Sequence, residues 1–421
     1  MSDAAIDLGA PARLQSLDIV RGVAVMGILL LNIVGFGMPE AAYFNPRAYG
    51  GSEGADLGVW LVNFILFDGK MRGLFSFLFG ASMLLVVEGA EAKGENPVTV
   101  HYQRMAWLLI FGLAHLWLVW FGDILGGYAL IGMAAFWLRK LPVRGMVVMG
   151  VMLVLLQTLL FCVLPFGVHY LQSIPEGAPG YADAVKQIAD FNRNFGVPTA
   201  AETAGALDIM RGGYAGIVAD RFAHNQLGPL PMALLYLCET TAYMLFGMAA
   251  LRSGMLRGEW PRARLKRMAW IGFGIGVPLY AAIAAWMINQ DFAMFPVMLA
   301  VFVLTAPVRP ILFLGWAALI LLLARPGGAL TARIAAAGRM AFTNYLGTSL
   351  ICTTFFYGYG FGWFGYLSRA ELYLVVIAVW ALILLWSKPW LARFRYGPFE
   401  WAWRSLARGS FQPMKGAAAS D

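Results

Sequence analysis

The sequence predicts an all-α, polytopic integral membrane protein: a bundle of about ten transmembrane helices with both termini in the cytoplasm. Three observations predict it. Of 421 residues, 60% are hydrophobic and only 13% charged, about half the roughly 25% of an average soluble domain. Mean hydropathy is +0.68. Apolar stretches close to the ~20 residues that a bilayer requires recur along the whole chain. These figures exclude a soluble globular enzyme, a disordered chain and a disulfide scaffold.

Ten stretches read as spans: 19–36, 71–88, 104–121, 124–138, 146–166, 230–251, 268–286, 308–324, 335–357 and 372–386. Arg13 and Arg21 sit before and at the start of the first. No small-residue cleavage motif follows, so it reads as an uncleaved helix rather than a signal peptide. Two apolar pieces, 57–67 and 292–304, are short for a crossing. They read as interfacial or re-entrant segments, or as extensions of a neighbouring span. Gly272, Gly274 and Gly276 lie inside the seventh span and read as packing residues, not a nucleotide loop.

Charge sets the orientation. With the N-terminus inside and ten crossings, the cytoplasmic segments carry 22 of the 31 Lys and Arg residues, and the outer side carries 13 of the 23 acids. That satisfies the positive-inside rule. Residues 1–16 then form a cytoplasmic tail, 17–408 a single membrane domain, and 409–421 a flexible tail. An outer-face loop runs over about 167–229. In it Tyr181, Val185, Ile188 and Phe195 recur at helical spacing, which predicts an amphipathic helix. Thr199 and Glu202 have capping-box spacing.

The net charge of +8 is distributed over loops and forms no single basic patch, so no nucleic-acid partner is expected. The partner is the lipid bilayer. Cys162, Cys238 and Cys352 lie in apolar segments without a C-x-x-C pair, and His101, His169 and His224 are scattered; no disulfide and no metal site is implied. There is no Walker A loop, no H-E-x-x-H and no G-x-S-x-G. Chemistry must therefore reside in polar residues within the membrane, where they are costly.

Asp18, Arg21 and Asn32 share the first span. Eleven residues separate Arg21 from Asn32, which puts them on one helix face about 16 Å apart. They form a polar track lining a cavity, or else an ion pair at the interface and a packing amide deeper in. Arg104 and His115 repeat that spacing in the third span. His115 is a candidate general base, proton relay or nucleophile. Asp123 lies eight residues further, about 12 Å along a straight helix and beyond hydrogen-bonding reach. Glu239, mid-way into the sixth span, requires a proton or a partner; His115 is a candidate partner. Arg339 and Asn344, with Tyr345, Ser349 and Thr353, form either a cavity wall or a packing stripe. Lys70 and Arg72 read as snorkelling anchors, with anion binding as the alternative.

Several of these segments carry a family resemblance. Leu17-Asp18 leads to R-G-V-A-V-M-G-I-L-L-L-N over 21–32. L-F-S-F-L-F-G-A-S occupies 74–82. His115 is followed by Gly122-Asp123-Ile124-Leu125 and Tyr128-Ala129-Leu130. G-R-M-A-F-T-N-Y-L spans 338–346, and R-Y-G-P-F-E-W-A-W-R spans 395–404. In this order they resemble the YeiB-type bacterial inner-membrane proteins (domain of unknown function 418). The resemblance extends over about 13–404 and implies a bacterial inner-membrane location but no activity.

More distantly, Leu17-Asp18-x-x-Arg21-Gly22 with a mid-helix Asn32 is similar to the first span of membrane acyltransferases. These include heparan-alpha-glucosaminide N-acetyltransferase and enzymes that O-acetylate bacterial glycans. That likeness implies acyl-CoA as a cytosolic donor, met by Arg13 and Arg21, and no permanently bound cofactor. It also implies a membrane or periplasmic acceptor: a lipid, a glycan or a small molecule. The O-acetylating relatives have a histidine about where this chain has Asn32. An amide is no general base, so that role falls to His115, with Glu239 assisting and Asn32 orienting a substrate. Asp18, Asp123, Arg339 and Asn344 would line the cavity. Two other readings stand beside the enzyme: a proton-coupled transporter or flippase, and a non-catalytic scaffold or sensor.

Overall fold

A computed structural model describes residues 15–325 and 327–415. Arg13 lies outside them. The described residues form no strand; a single isolated bridge pairs Phe394 with Lys415.

Twelve helices frame the site: α1 (Gln15–Gly37), α2 (Lys70–Glu91), α3 (Pro97–Ala114), α4 (Leu125–Ala135), α5 (Val143–Gln172), α6 (Leu237–Arg252), α7 (Arg262–Asn289), α8 (Arg309–Leu323), α9 (Ala329–Arg339), α10 (Ala341–Phe356), α11 (Leu372–Arg393) and α12 (Pro398–Arg408). Five helical segments are long and apolar enough to cross a membrane: α1, Gly54–Glu91, α5, α7 and α11. A sixth arises if Met294–Leu304 and α8, bent by 60°, count as one. Shorter or interrupted helices occupy the other predicted spans. The stretch 230–251 comprises Leu230–Leu235 and α6, and 335–357 is divided at Met340 into α9 and α10.

Both short apolar pieces are helical extensions of a neighbour. Gly54–Val62 runs into a wide turn, Asn63–Phe67, and joins α2 across Gly69, whose φ of 70° is readily adopted only by glycine. Met294–Met298 runs through the wide turn Leu299–Leu304 towards α8.

Helix α1 is central, with Val20, Ala24 and Ile33 fully buried. It packs against α2, α9, α10 and α11. Glycine permits the closest approaches. A Cβ on Gly247 of α6 would lie 1.7 Å from the Phe77 carbonyl, and one on Gly80 of α2 would lie 2.1 Å from that of Met244. Gly272 meets Gly315 and Gly276 meets Leu312, so two of the three glycines in α7 are packing residues; Gly274 faces open space. Helices α5, α7 and α11 are peripheral and expose Leu159, Val163, Trp270 and Ile377 as an apolar outer wall.

The segment 167–229 is also helical. Helix α5 continues to Gln172, followed by Tyr181–Phe195, Ala200–Arg211 and Tyr214–His224. The expected amphipathic helix directs Phe195 onto Phe302. Both hydrogen bonds of the capping box form: Glu202 N–H donates to Thr199 Oγ1 at 3.2 Å, and Thr199 N–H to Glu202 Oε2 at 2.9 Å. The segment is docked: Arg211 donates to the Phe364 carbonyl and Tyr214 to that of Leu118.

Candidate functional site

Two cavities lie along α1. The first, about 570 Å³, takes Leu17, Asp18 and Arg21 from its start. The second, about 270 Å³, takes Ile28, Leu31, Asn32 and Gly35 from its far half. Helical geometry thus carries one polar face past both. Tyr128 of α4 lines both cavities. Its hydroxyl is 2.8 Å from Ser76 Oγ and donates to the Arg72 carbonyl at 3.3 Å.

The first cavity has apolar walls and a cationic set. Arg21, Arg104, Arg339 and Arg404 line it, against Asp18 and Glu400. Arg21 pairs with Asp18 at 3.1 Å and donates to Ser82 at 2.7 Å. Arg104 lies over the Trp403 ring at 4.2 Å. Glu400 comes from α12 and accepts the N–H groups of Phe342 and Thr343 at 2.8 and 3.1 Å. It therefore caps the start of α10, where backbone donors lack helical partners.

The second cavity is lined by Asn32, Glu40, Asp68, Arg72, Asp123 and Arg309, with Tyr43, Trp120 and Tyr236 among its aromatic walls. Its base is a buried ion cluster. Arg309 Nη1 donates to Glu239 Oε1 at 2.8 Å, Arg72 is 3.2 Å from Oε2, and the Tyr243 hydroxyl donates to Oε1 at 2.7 Å. Glu239 is only 2% exposed. Two guanidiniums and a hydroxyl supply what a carboxylate removed from water requires. The expected pairing of Glu239 with His115 is thus replaced by arginines from α2 and α8.

His115 has a different partner. Its Nδ1 is 2.9 Å from Asp123 Oδ1. The straight-helix estimate of 12 Å fails because the helix does not stay straight. After Ala114 it widens over His115–Val119, and Trp120 is extended. The chain then reverses, and Asp123 folds back while its other oxygen accepts the Gly126 N–H at 2.8 Å. Both side chains of the pair are buried, and His115 Nε2 has no protein partner among the described residues. Asp123 reaches the second cavity; His115 lines neither. An aspartate on Nδ1 holds a neutral histidine with its proton there and its lone pair on Nε2.

Other candidates separate. Arg339 lines the first cavity, but Asn344 lines neither. Its amide donates to Ala337 and Ser387 and accepts from Trp386, so it ties α10 to α9 and α11. Lys70 and Arg72 are not snorkelling anchors. Lys70 is fully buried, with Nζ 2.5 Å from the Phe64 carbonyl and 3.1 Å from the Tyr280 ring centre, because the turn at Gly69 directs it inward. The sequence reading gave no role to Ser76, Tyr128, Arg309, Glu400, Trp403 or Arg404. For Arg309, an arginine at the edge of an apolar stretch was the available signal.

Among the described residues, no group of three or more His, Cys, Asp or Glu side chains is placed to hold a metal ion.

The fold and its two cavities define a class: an all-helical protein among its described residues, with several helices long and apolar enough for a membrane, built around two cavities on one central helix that set charged side chains among apolar walls. The chain belongs to the YeiB-like DUF418 family. The family description "Protein of unknown function (DUF418)" matches residues 250–410. The chain is 33% identical to the uncharacterized protein YeiB of Escherichia coli (strain K12), over 93% of this chain and 95% of that one. It is 32% identical to the uncharacterized protein YxaH of Bacillus subtilis (strain 168), over 96% of both. A 39.9 kDa protein encoded in the amylase 3′ region of Bacillus acidopullulyticus is 24% identical over 94% of this chain and 93% of its own length. No solved structure matches.

Proposed function

We propose that this protein transfers an acyl group across the bacterial inner membrane, from a cytosolic donor to an acceptor on the outer side. The supporting observation is the pair of cavities meeting at Tyr128. In this reading the chain crosses ten times with both termini inside, so the start of α1 and the first cavity face the cytoplasm. The donor enters there, and acyl-CoA is the donor tested first. The acceptor, a lipid, glycan or small molecule, occupies the second cavity beside Asn32 and Asp123.

In the transfer, the donor's acyl–sulfur bond breaks and an acyl–oxygen or acyl–nitrogen bond forms. The acceptor's proton passes to the His115–Asp123 pair, which meets the second cavity at Asp123, and ends on the departing thiolate. Asn32 orients the acceptor. Glu239 holds Arg72 and Arg309 in place and is not the base.

The test is incubation of protein in lipid nanodiscs with labelled acetyl-CoA. Label on an acceptor or on the protein, with release of free CoA, is expected. His115→Ala should lower turnover by about 10²–10⁴-fold. No label and no CoA release across several acyl chain lengths would reject the reading.

One observation favours a second reading, transport. Helices break at Gly69, Trp120 and Met340, and discontinuous helices beside buried charge also build alternating-access carriers. Substrate flux into proteoliposomes without covalent change would establish it.

A further inference from the structure

Outside both cavities, one arginine is buried without a counter-charge. Arg221, on the helix Tyr214–His224, is only 2% exposed. Among the described residues, none of its three guanidinium nitrogens has a hydrogen-bond partner, and it joins no ion pair. The helix turns it inward. Ile217, one turn earlier on the same face, is fully buried. It belongs to the apolar cluster that holds Phe36, Trp120, Tyr357 and Phe364. Arg221 follows it inward, with Cζ 5.4 Å from the centre of the Tyr357 ring. The Tyr357 hydroxyl is buried too, and makes no well-formed hydrogen bond among the described residues. It is near enough to interact with the guanidinium.

The neighbouring charges do not balance Arg221. Asp220, the carboxylate beside it in the chain, pairs with His224 at 3.2 Å. Arg211 of the preceding helix brings a second guanidinium, which donates to the Phe364 carbonyl at 2.8 Å. An arginine side chain keeps its charge in a protein, and burying such a charge unpaired is strongly unfavourable. A hydroxyl or a water offers it a dipole but no compensating charge. An anion offers both an acceptor and the charge. The Tyr357 hydroxyl can accept from the guanidinium and still donate its own proton to that anion. The space is enclosed: Tyr357 is 0% exposed, and neither residue lines either cavity. The ligand is therefore small.

We infer that Arg221 and Tyr357 form a binding site for a small inorganic anion of the halide class. The site lies under a helix that covers the wide turn carrying His115. Tyr214 donates to the Leu118 carbonyl at 2.9 Å, and Trp117 to the Asn225 carbonyl at 3.0 Å. The rings of Trp117 and Phe222 stack with centres 4.9 Å apart. Anion binding at Arg221 therefore seats this helix on that turn. The inference does not rest on the acyl-transfer reading and holds equally for a carrier.

The test uses the full chain in phosphatidylcholine nanodiscs, with sodium gluconate exchanged for sodium chloride at constant ionic strength. Chloride should raise the melting temperature saturably, by about 2–4 °C. Arg221→Met, which keeps the length of the side chain and removes its charge, should lose that shift. Tyr357→Phe keeps the cation and should raise the half-saturating chloride concentration about tenfold, as loss of one hydrogen bond to a charged group does. Crystals of the unaltered protein grown in bromide should show an anomalous peak between Arg221 and Tyr357.

Equal melting temperatures in chloride and gluconate would overturn the inference. So would a chloride shift that survives both substitutions unchanged, or bromide crystals with only a water beside Arg221. None of these results bears on acyl transfer, and failure of acyl transfer would leave the site standing.

Discussion

His115 shows how much a single residue's role depends on where the backbone bends. Its distance along the helix from Arg104 was legible from the sequence, because 11 residues fix the rise. Its partner was not. The 2.9 Å contact to Asp123 exists because a wide turn and an extended Trp120 interrupt the helix, and no residue there is a proline or a strong breaker. Glu239 gives the matching lesson. The cost of a buried carboxylate predicted a partner, but not which helices would supply it. Removing one partner should be expensive: Arg309→Met leaves the carboxylate to Arg72 and the Tyr243 hydroxyl and should cost up to roughly 3–5 kcal/mol, the penalty for breaking a buried pair outright. The double variant Arg309→Met/Glu239→Gln should recover part of that loss. Thermal unfolding in detergent measures both, and additive losses would contradict the pairing.

Among the elements, the sequence was a good guide where periodicity and capping chemistry are local. The Tyr181–Phe195 helix and the Thr199–Glu202 box are of this kind. It was a poorer guide at Tyr236 and Met340, where tertiary packing interrupts apolar stretches that read as continuous. The capping box also carries a pH dependence. Hydrogen bonds from Thr199 N–H, Arg193 and the Thr199 hydroxyl hold the Glu202 carboxyl below its ordinary value. Its contribution is therefore present above the unfolded value and fades as pH falls through the lowered one. Amide exchange across Ala200–Arg211 should accelerate over that acidic window, and Glu202→Gln should abolish the pH dependence. Where helices touch backbone to backbone, side-chain volume decides. Gly247→Val would drive methyl groups into the Phe77 carbonyl, with no flexible side chain to move aside. The variant should fail to accumulate as folded protein in size-exclusion chromatography, whereas Gly274→Val, facing open space, should behave as wild type.

Considered as a whole molecule, composition alone was enough for the helical, apolar class, because hydrocarbon tolerates few backbone arrangements. The site was only partly legible. Asp18, Arg21, Asn32, Asp123 and Arg339 do line cavities, but the division into two chambers depends on long-range packing of α2, α4 and α12, which no local pattern encodes. Tyr128 is the element of that division that can be removed. Tyr128→Ala should join the chambers, so that donor is hydrolysed by water faster than it is transferred. A rise in free CoA with a fall in labelled acceptor would report it.

The proposed transfer is vectorial: the acyl group would start at one face and end at the other. Sealed proteoliposomes of known protein orientation, given labelled acetyl-CoA only at the face where α1 begins, test it most directly. Label on acceptor at the opposite face, lost with His115→Ala, is the expected result. Label confined to the donor face, or transfer unaltered by His115→Ala, would contradict it.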